Sequence, residues 1–436
     1  MVFDITKYGA IPDGKTICTK SIQHAIDDCS KQGGQVLIPE GCFVSGSLKL
    51  RSNTDLHLEL GARLMCSTNP ADQINFLKDM DDDNKDTGWN GGCFLFALHE
   101  ENVMISGDGI IDGQGRFYYY DKEEEDYIRE IPHALHEPRP RMSYLEDIHN
   151  LTVRDVTLED AAFWTLHLAG CRDVLIENIR IINNERCPNN DGIDPDSCQN
   201  VIIHNCDIQT ADDCIVIKST APMARLYGGS SNIVVSGCIL KSHCTALKIG
   251  TETWGDISKI IVSDCILRDC NRGFGIFSRD GGKISDILVH HLTGNTRGFL
   301  DCTKENPGLP AWWGTGDPFY ISATKRNGVE RLPGIIEDIY LDHIYLECEG
   351  TAFIGGEKYA EICNVAVTDS IFNYKRQTKC IAKWIDERPS KRNYFSNNNS
   401  CLYLRYVNQV NISESVFRID ETMKNVIKTV KYSETC

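Results

Sequence analysis

Several features are missing from this 436-residue chain. Its opening, MVFDITKYGAIPDG, has no basic segment followed by an apolar one, and no later stretch approaches the roughly 20 apolar residues that span a bilayer. The sequence therefore reads as soluble, unexported and cytoplasmic. Clustered basic residues are lacking too. With 45 Lys and Arg against 62 Asp and Glu the formal charge is −17, which argues against nucleic acid or an anionic membrane as partner. The 20 cysteines form no zinc-type CxxC pairs and fall in apolar runs such as HNCDI, SGCIL and SDCIL. Most of them read as small buried thiols rather than metal ligands or a disulfide framework. No linker rich in Pro, Ser or Gly divides the chain. A chain this long exceeds what one ordinary core supports unless a repeat removes the limit.

A repeat is present. Segments that start on a polar residue and run into alternating apolar positions recur at Asn102 (NVMISGDGI), Asn150, Asp173, Asn200 (NVIIHNCDI), Asn232, Lys259, Asp286, Asp338, Asn364 and Gln409. Most successive offsets lie between 23 and 32 residues, and the longer ones, 45 to 52, are two periods or one with an insertion. A period this short, rich in β-branched residues and without helical patterning, indicates a β-solenoid. A second strand per repeat shows as CIVIKS, ALKIGT and FGIFSR. Stacked coils bury alternate positions and leave a continuous outer face on which chemistry can be assembled. One helix is predicted at about residues 17–32, with Ile22, Ala25, Ile26 and Cys29 on its apolar face, capping the open N-terminal end. The reading is an all-β, single-domain chain, residues 1–436, with surface loops at about 116–140 and 300–330. The acidic run DKEEEDY from Asp121 reads as a solvated insertion.

Three neighbouring coils carry unusual polar density. CPNNDGIDPDSC holds Asn189, Asn190, Asp191, Asp194 and Asp196; TADDCIVIKS holds Asp212, Asp213 and Lys218; SHCTALKIGTE holds His243, Lys248 and Glu252. Taking Ile217 and Ile249 as equivalent puts Asp213 beside Thr245, so Asp191, Asp212 and Asp213 meet on one outer face. Crowded carboxylates repel, so one keeps its proton near neutral pH while another stays ionised. That division suits glycoside hydrolysis. Asp194, Asp196 and Asp207 read as turn formers.

At these residues the chain resembles the polygalacturonase family, glycoside hydrolase family 28. The similarity runs through FDITKYGAIPDGK, VLIPEG, ISGDGIIDGQG, NNDGIDPDSCQNVIIHNCDI and TADDCIVIKS. The family's NTD motif matches Asn189, Asn190 and Asp191, with Asn for Thr, and its DD pair matches Asp212 and Asp213. The resemblance implies a right-handed, single-stranded parallel β-helix that acts by inversion without metal or cofactor. It implies Asp212 as general acid and Asp191 with Asp213 as the pair that activates water. Inverting pairs stand roughly 6.5–9.5 Å apart.

Two family motifs are absent. The GHG histidine aligns with Thr245; His243, two residues away, reads first as a structural histidine and, given a bulge, as a substrate ligand beside Asn189, Lys218 and Glu252. The RIK cations align with Gly275 and Phe277, leaving Lys248, Arg272 and Arg279 as replacement charge, Lys248 first. Trp312 and Trp313 sit in a loop and can stack on a sugar ring, closing one end of a cleft. The expectation is an exo-acting hydrolase of pectic oligosaccharides, at a galacturonide or rhamnogalacturonan-type linkage. The competing readings are a hydrolase of a neutral side-chain linkage, a lyase with calcium at DGIDPDS, and a solenoid that only binds glycan.

Overall fold

The computed structural model describes residues 1–75, 92–127, 129–301 and 308–434. It is a right-handed parallel β-helix in which 34 strands join one continuous sheet. Coil upon coil, equivalent residues pair in register: Val174, Val201, Ile233, Ile260, Ile287, Ile339 and Val365 form one inward column, and all are buried. Such columns make the core, because each β-branched side chain packs on its counterpart one strand spacing away.

The polar residue that opens each repeat has a physical reason. All ten, from Asn102 to Gln409, take left-handed backbone with φ between 51° and 62°. Asn and Asp tolerate this region best among non-glycine residues. Their amides also stack: Asn150 Nδ2 donates to Asn102 Oδ1 at 2.8 Å, and Asn200 Nδ2 to Asp173 Oδ1 at 2.9 Å. The turn thus repeats because one side chain satisfies the next coil.

Helix α1 (Thr19–Ser30) buries Ile22, Ala25, Ile26 and Cys29 against the first coil. The chain then reverses at Gly34, φ 151°, where a Cβ would lie 2.3 Å from the Met1 carbonyl oxygen. Helix α2 (Ala221–Tyr227) follows the DD-bearing coil, and Thr220 ahead of it donates its N–H and hydroxyl to the Asp196 carboxylate. Neither is long and apolar enough to cross a membrane. Among the described cysteines all are free thiols except Cys380, which is disulfide-bonded.

Both interrupting loops carry structure. Tyr119–Tyr120 pairs antiparallel with Ala134–Leu135, and Leu300–Asp301 with Leu309–Pro310; residues 128 and 302–307 lie outside the described residues. Of the acidic run, Glu123, Glu124 and Glu125 are solvated, whereas Asp121 pairs with Arg186 and Asp126 is buried. A further hairpin, Trp384–Asp386 with Tyr394–Ser396, packs over the outer face.

Candidate active site

The register expectation holds. Ile217 pairs with Ile249 and Ile193 with Ile215, so Asp191 lies one coil before Asp213, and the Thr245 N–H donates to Asp213 Oδ1 at 3.1 Å. Asp191, Asp212 and Asp213 bring carboxylate oxygens within 4.8 Å of one another. They line a cavity of about 270 Å³ with Asn189, Lys218, Lys248, Glu252, Trp312 and Trp313.

Local sequence fixes this cluster. Asn190, fully buried, accepts the Ala211 N–H at 2.8 Å and donates to the Asn184 carbonyl at 2.7 Å, which pins the turn carrying the DD pair. Asp212 receives two backbone N–H bonds, from Asn189 at 3.2 Å and Asp213 at 3.1 Å. Asp213 is held at both oxygens, by Thr245 and by Lys248 Nζ at 2.5 Å. Asp191 differs: its Oδ1 has no hydrogen-bond partner among the described residues.

Electrostatics follow the bonding. Burial, with the charges of Asp212 and Asp194, pushes the Asp191 carboxyl well above its ordinary range. Burial and the Asp213 charge also raise Asp212, opposed by Lys248 and the Asn189 N–H. Burial and crowding thus favour the protonated form at both Asp191 and Asp212. Three converging carboxylates are also a donor set for a divalent ion, but Lys248 already places a positive charge against Asp213.

Other expected residues fall into place differently. Asp194 and Asp196 are not turn formers: they lie in the strand Ile193–Asp196, buried, where Asp194 pairs with Lys218 Nζ at 2.7 Å and Asp196 receives Thr220. Two of the three DGIDPDS carboxylates that a calcium-dependent lyase would use, Asp194 and Asp196, are thus taken. Asp207 begins a strand and pairs with Arg268 at 3.0 Å. Lys248 shares the outer face with Asp213 as expected, but it is committed to that carboxylate. Arg279 is no substrate ligand: fully buried, it donates to the carbonyls of Ser278, Ser322, Glu387 and Pro389 under the Trp384–Ser396 hairpin. Arg272 is likewise sealed, with Asp317 at 2.7 Å. Alternation points both side chains outward, but the hairpin, more than 100 residues on, covers them.

His243 does not line the cavity. Its ring lies 3.9 Å from Phe299 and 5.5 Å, edge on, from Trp312, so it props the tryptophan. Burial lowers its pKa, opposed by Glu185 3.4 Å away. Trp312 is 4% exposed and its Nε1 donates to the Glu130 carbonyl at 2.8 Å, joining the two loops; Trp313 is 39% exposed. Arg388, bound to Asp386, donates to the Trp312 carbonyl at 2.8 Å, and Asp386 accepts from the Gly314 N–H.

Sequence reasoning missed several residues in and around the cavity, three of them instructive. Trp164 lines the cavity with Lys218 Nζ 3.8 Å over its ring; its place in AAFWTLH, one coil before NNDG, was the available signal. Arg326 reaches Glu252 and Asp280 from the far side of the 300–330 loop, and Pro132 comes from the other loop. No local pattern announces these two.

Residues 29–293 match the family described as Glycosyl hydrolases family 28. A "Probable polygalacturonase" of Vitis vinifera is 31% identical over 49% of this chain and 44% of its own length. An "Exopolygalacturonase" of Zea mays is 28% identical over 52% and 51%. The chain thus spans about half the length of the curated relatives it matches. Among solved structures, a hyperthermoactive exopolygalacturonase from Thermotoga maritima superimposes with a TM-score of 0.72 at 20% identity, over 96% of this chain and 92% of that one. With the family description covering more than half of the sequence and its NTD and DD positions converging in one cavity, this chain belongs to glycosyl hydrolase family 28.

Proposed function

We propose that the protein is an exo-acting glycoside hydrolase of pectic oligosaccharides. One observation carries the reading: three carboxylates with oxygens within 4.8 Å of one another stand in a cavity walled by tryptophans from an inserted loop. Asp212 donates the proton to the leaving oxygen. Asp213, oriented by Lys248 and Thr245, takes the water's proton, and Asp191 beside it positions that water. Breaking the glycosidic bond leaves the Asp212 proton on the departing hydroxyl, and the water delivers its oxygen to the anomeric carbon and its proton to the base. The loop joint at Trp312 and Glu130 favours exo action because it walls the cavity beside the acids. Relatives described as exopolygalacturonases favour it too.

The nearest carboxylate oxygens are closer than the roughly 6.5–9.5 Å of most inverting pairs. Inversion therefore rests on the resemblance and is the sharper half of the test. Purified protein is incubated with defined pectic oligosaccharides, products are identified by mass, and the first anomer is read by proton NMR. Release of terminal residues with inverted configuration is expected. Internal cleavage, a retained anomer or an unsaturated product each overturns a named part of the proposal.

A further inference from the structure

We infer that Glu252, braced by Arg326, is the specificity-determining residue that reads the hydroxyl groups of the sugar in this cavity; this rests on the hydrolase reading above. Glu252 lines the cavity beside Trp164, Lys218 and Thr251, and its side chain keeps 31% of its surface exposed. The internal donors all go to one oxygen. Oε1 accepts from Thr251 Oγ1 at 3.0 Å and from Arg326 Nη2 at 3.4 Å, while Oε2 accepts no hydrogen bond among the described residues. Arg326 is itself fixed by Asp280 at 2.8 and 3.0 Å and by the Thr251 carbonyl at 3.1 Å, so the carboxylate is presented rather than free to swing.

The chemistry of this wall selects hydroxyls. Burial disfavours the Glu252 anion, but Lys218, Arg326 and Lys248 outweigh it and hold the pKa at about 2, so the group is an acceptor at every working pH. An ionised carboxylate takes sugar O–H donors through short, charge-assisted bonds. A carboxylate on the sugar at this spot would instead meet like charge. The two lysines lining the cavity are already bonded, Lys218 to Asp194 and Lys248 to Asp213, so pairing with it would mean giving up those bonds. The adjacent Trp164 ring offers the apolar face against which a pyranose packs. This wall therefore takes the uncharged, hydroxyl-bearing edge of a sugar ring, and a uronate bound here turns its carboxylate elsewhere.

The test has a kinetic and a binding arm. On the best oligosaccharide from the product screen, Glu252→Gln raises KM by roughly 10-fold and Glu252→Ala by roughly 100-fold, with kcat moved less than threefold. Monodeoxy analogues of the bound sugar locate the hydroxyl: the parent loses the same factor on one analogue, and Glu252→Gln loses nothing more on it. Arg326→Gln gives a smaller KM effect that does not add to that of Glu252→Gln. Calorimetric titration with galactose, which carries hydroxyls and no carboxylate, weakens in parallel in both Glu252 variants. Parent-like KM, equal losses on every deoxy analogue, or galactose binding that is equal in parent and variant or absent from both overturns the inference. A parent that cleaves no oligosaccharide yet binds galactose through Glu252 overturns the hydrolase reading and leaves Glu252 its role.

Discussion

Two patches of the outer face contain the same ingredients and do different things. In the cavity, Lys218 faces Asp194 and Lys248 faces Asp213, all nearly excluded from solvent. Further along the solenoid, Arg272 faces Asp317 and Arg405 faces Glu387, buried to the same degree. In the second patch each of these carboxylates has its arginine and the Trp384–Ser396 hairpin closes over the top. In the first, two further carboxylates, Asp191 and Asp212, are crowded in without cations of their own, and space is left above them. Burial and charge pairing alone therefore do not mark a site. An unbalanced acid beside an open volume does.

The largest effect that sharpens this contrast is on turnover. Asp212→Asn keeps the shape and removes the transferable proton, so kcat falls on the order of 10²–10⁴. Near-parent rates from stopped assays on the best substrate would remove Asp212 from the mechanism. In the sealed patch the response should be one of stability. Arg272→Met leaves Asp317 buried without its partner, a loss of about 3–5 kcal/mol. Denaturant unfolding should show that loss while kcat and KM of the folded enzyme stay at parent values. If Arg272→Met instead changes KM with stability intact, the two patches are not distinct.

Lys248 stands between these extremes. Replacing it with Met keeps most of the stem and removes a charged hydrogen bond to Asp213, an effect of about 1.5–3 kcal/mol, or roughly 10- to 150-fold. Because that bond reaches a catalytic carboxylate, the loss should fall on kcat for every cleaved substrate. A loss confined to KM for uronate substrates would restore the alternative in which Lys248 grips the sugar.

How far sequence alone reached follows from how local each determinant is. The Asn102, Asn150 and Asn200 turns and the Val201–Ile233–Ile260 column are legible because one residue type satisfies one backbone or packing need, coil after coil. Asp191, Asp212 and Asp213 are legible for the same reason: register converts spacing in the chain into adjacency in space. Arg279 and Lys248 were ambiguous because both point outward, and their surroundings come from elsewhere. A hairpin near residue 390 covers Arg279, and an aspartate one coil earlier claims Lys248. His243 was open between a structural and a substrate-binding reading, and the structure places it behind Trp312 rather than in the lining. Asp194 and Asp196 misled because aspartates in solenoids usually sit in turns, while these two are strand residues matched to Lys218 and Thr220.

The smallest expected effect tests the unbalanced acid directly, through stability rather than rate. Burial and the charges of Asp212 and Asp194 hold the Asp191 pKa well above that of an unfolded aspartate, so the folded state binds a proton that the unfolded chain releases. Below the ordinary carboxylate range the group is protonated in both states and contributes no difference. As pH rises past that range the unfolded chain ionises first, and the fold bears a growing cost that levels off only above the raised pKa. Asp191→Asn removes the ionisation and preserves the shape. It should therefore melt on the order of 1–3 °C above the parent at neutral pH, with the gap closing as pH falls to about 3.5. Melting curves for both proteins across that range check the sign. A variant that melts below the parent at neutral pH would mean that Asp191 is a stabilising anion, and the same margin at every pH would mean that its ionisation does not set the difference.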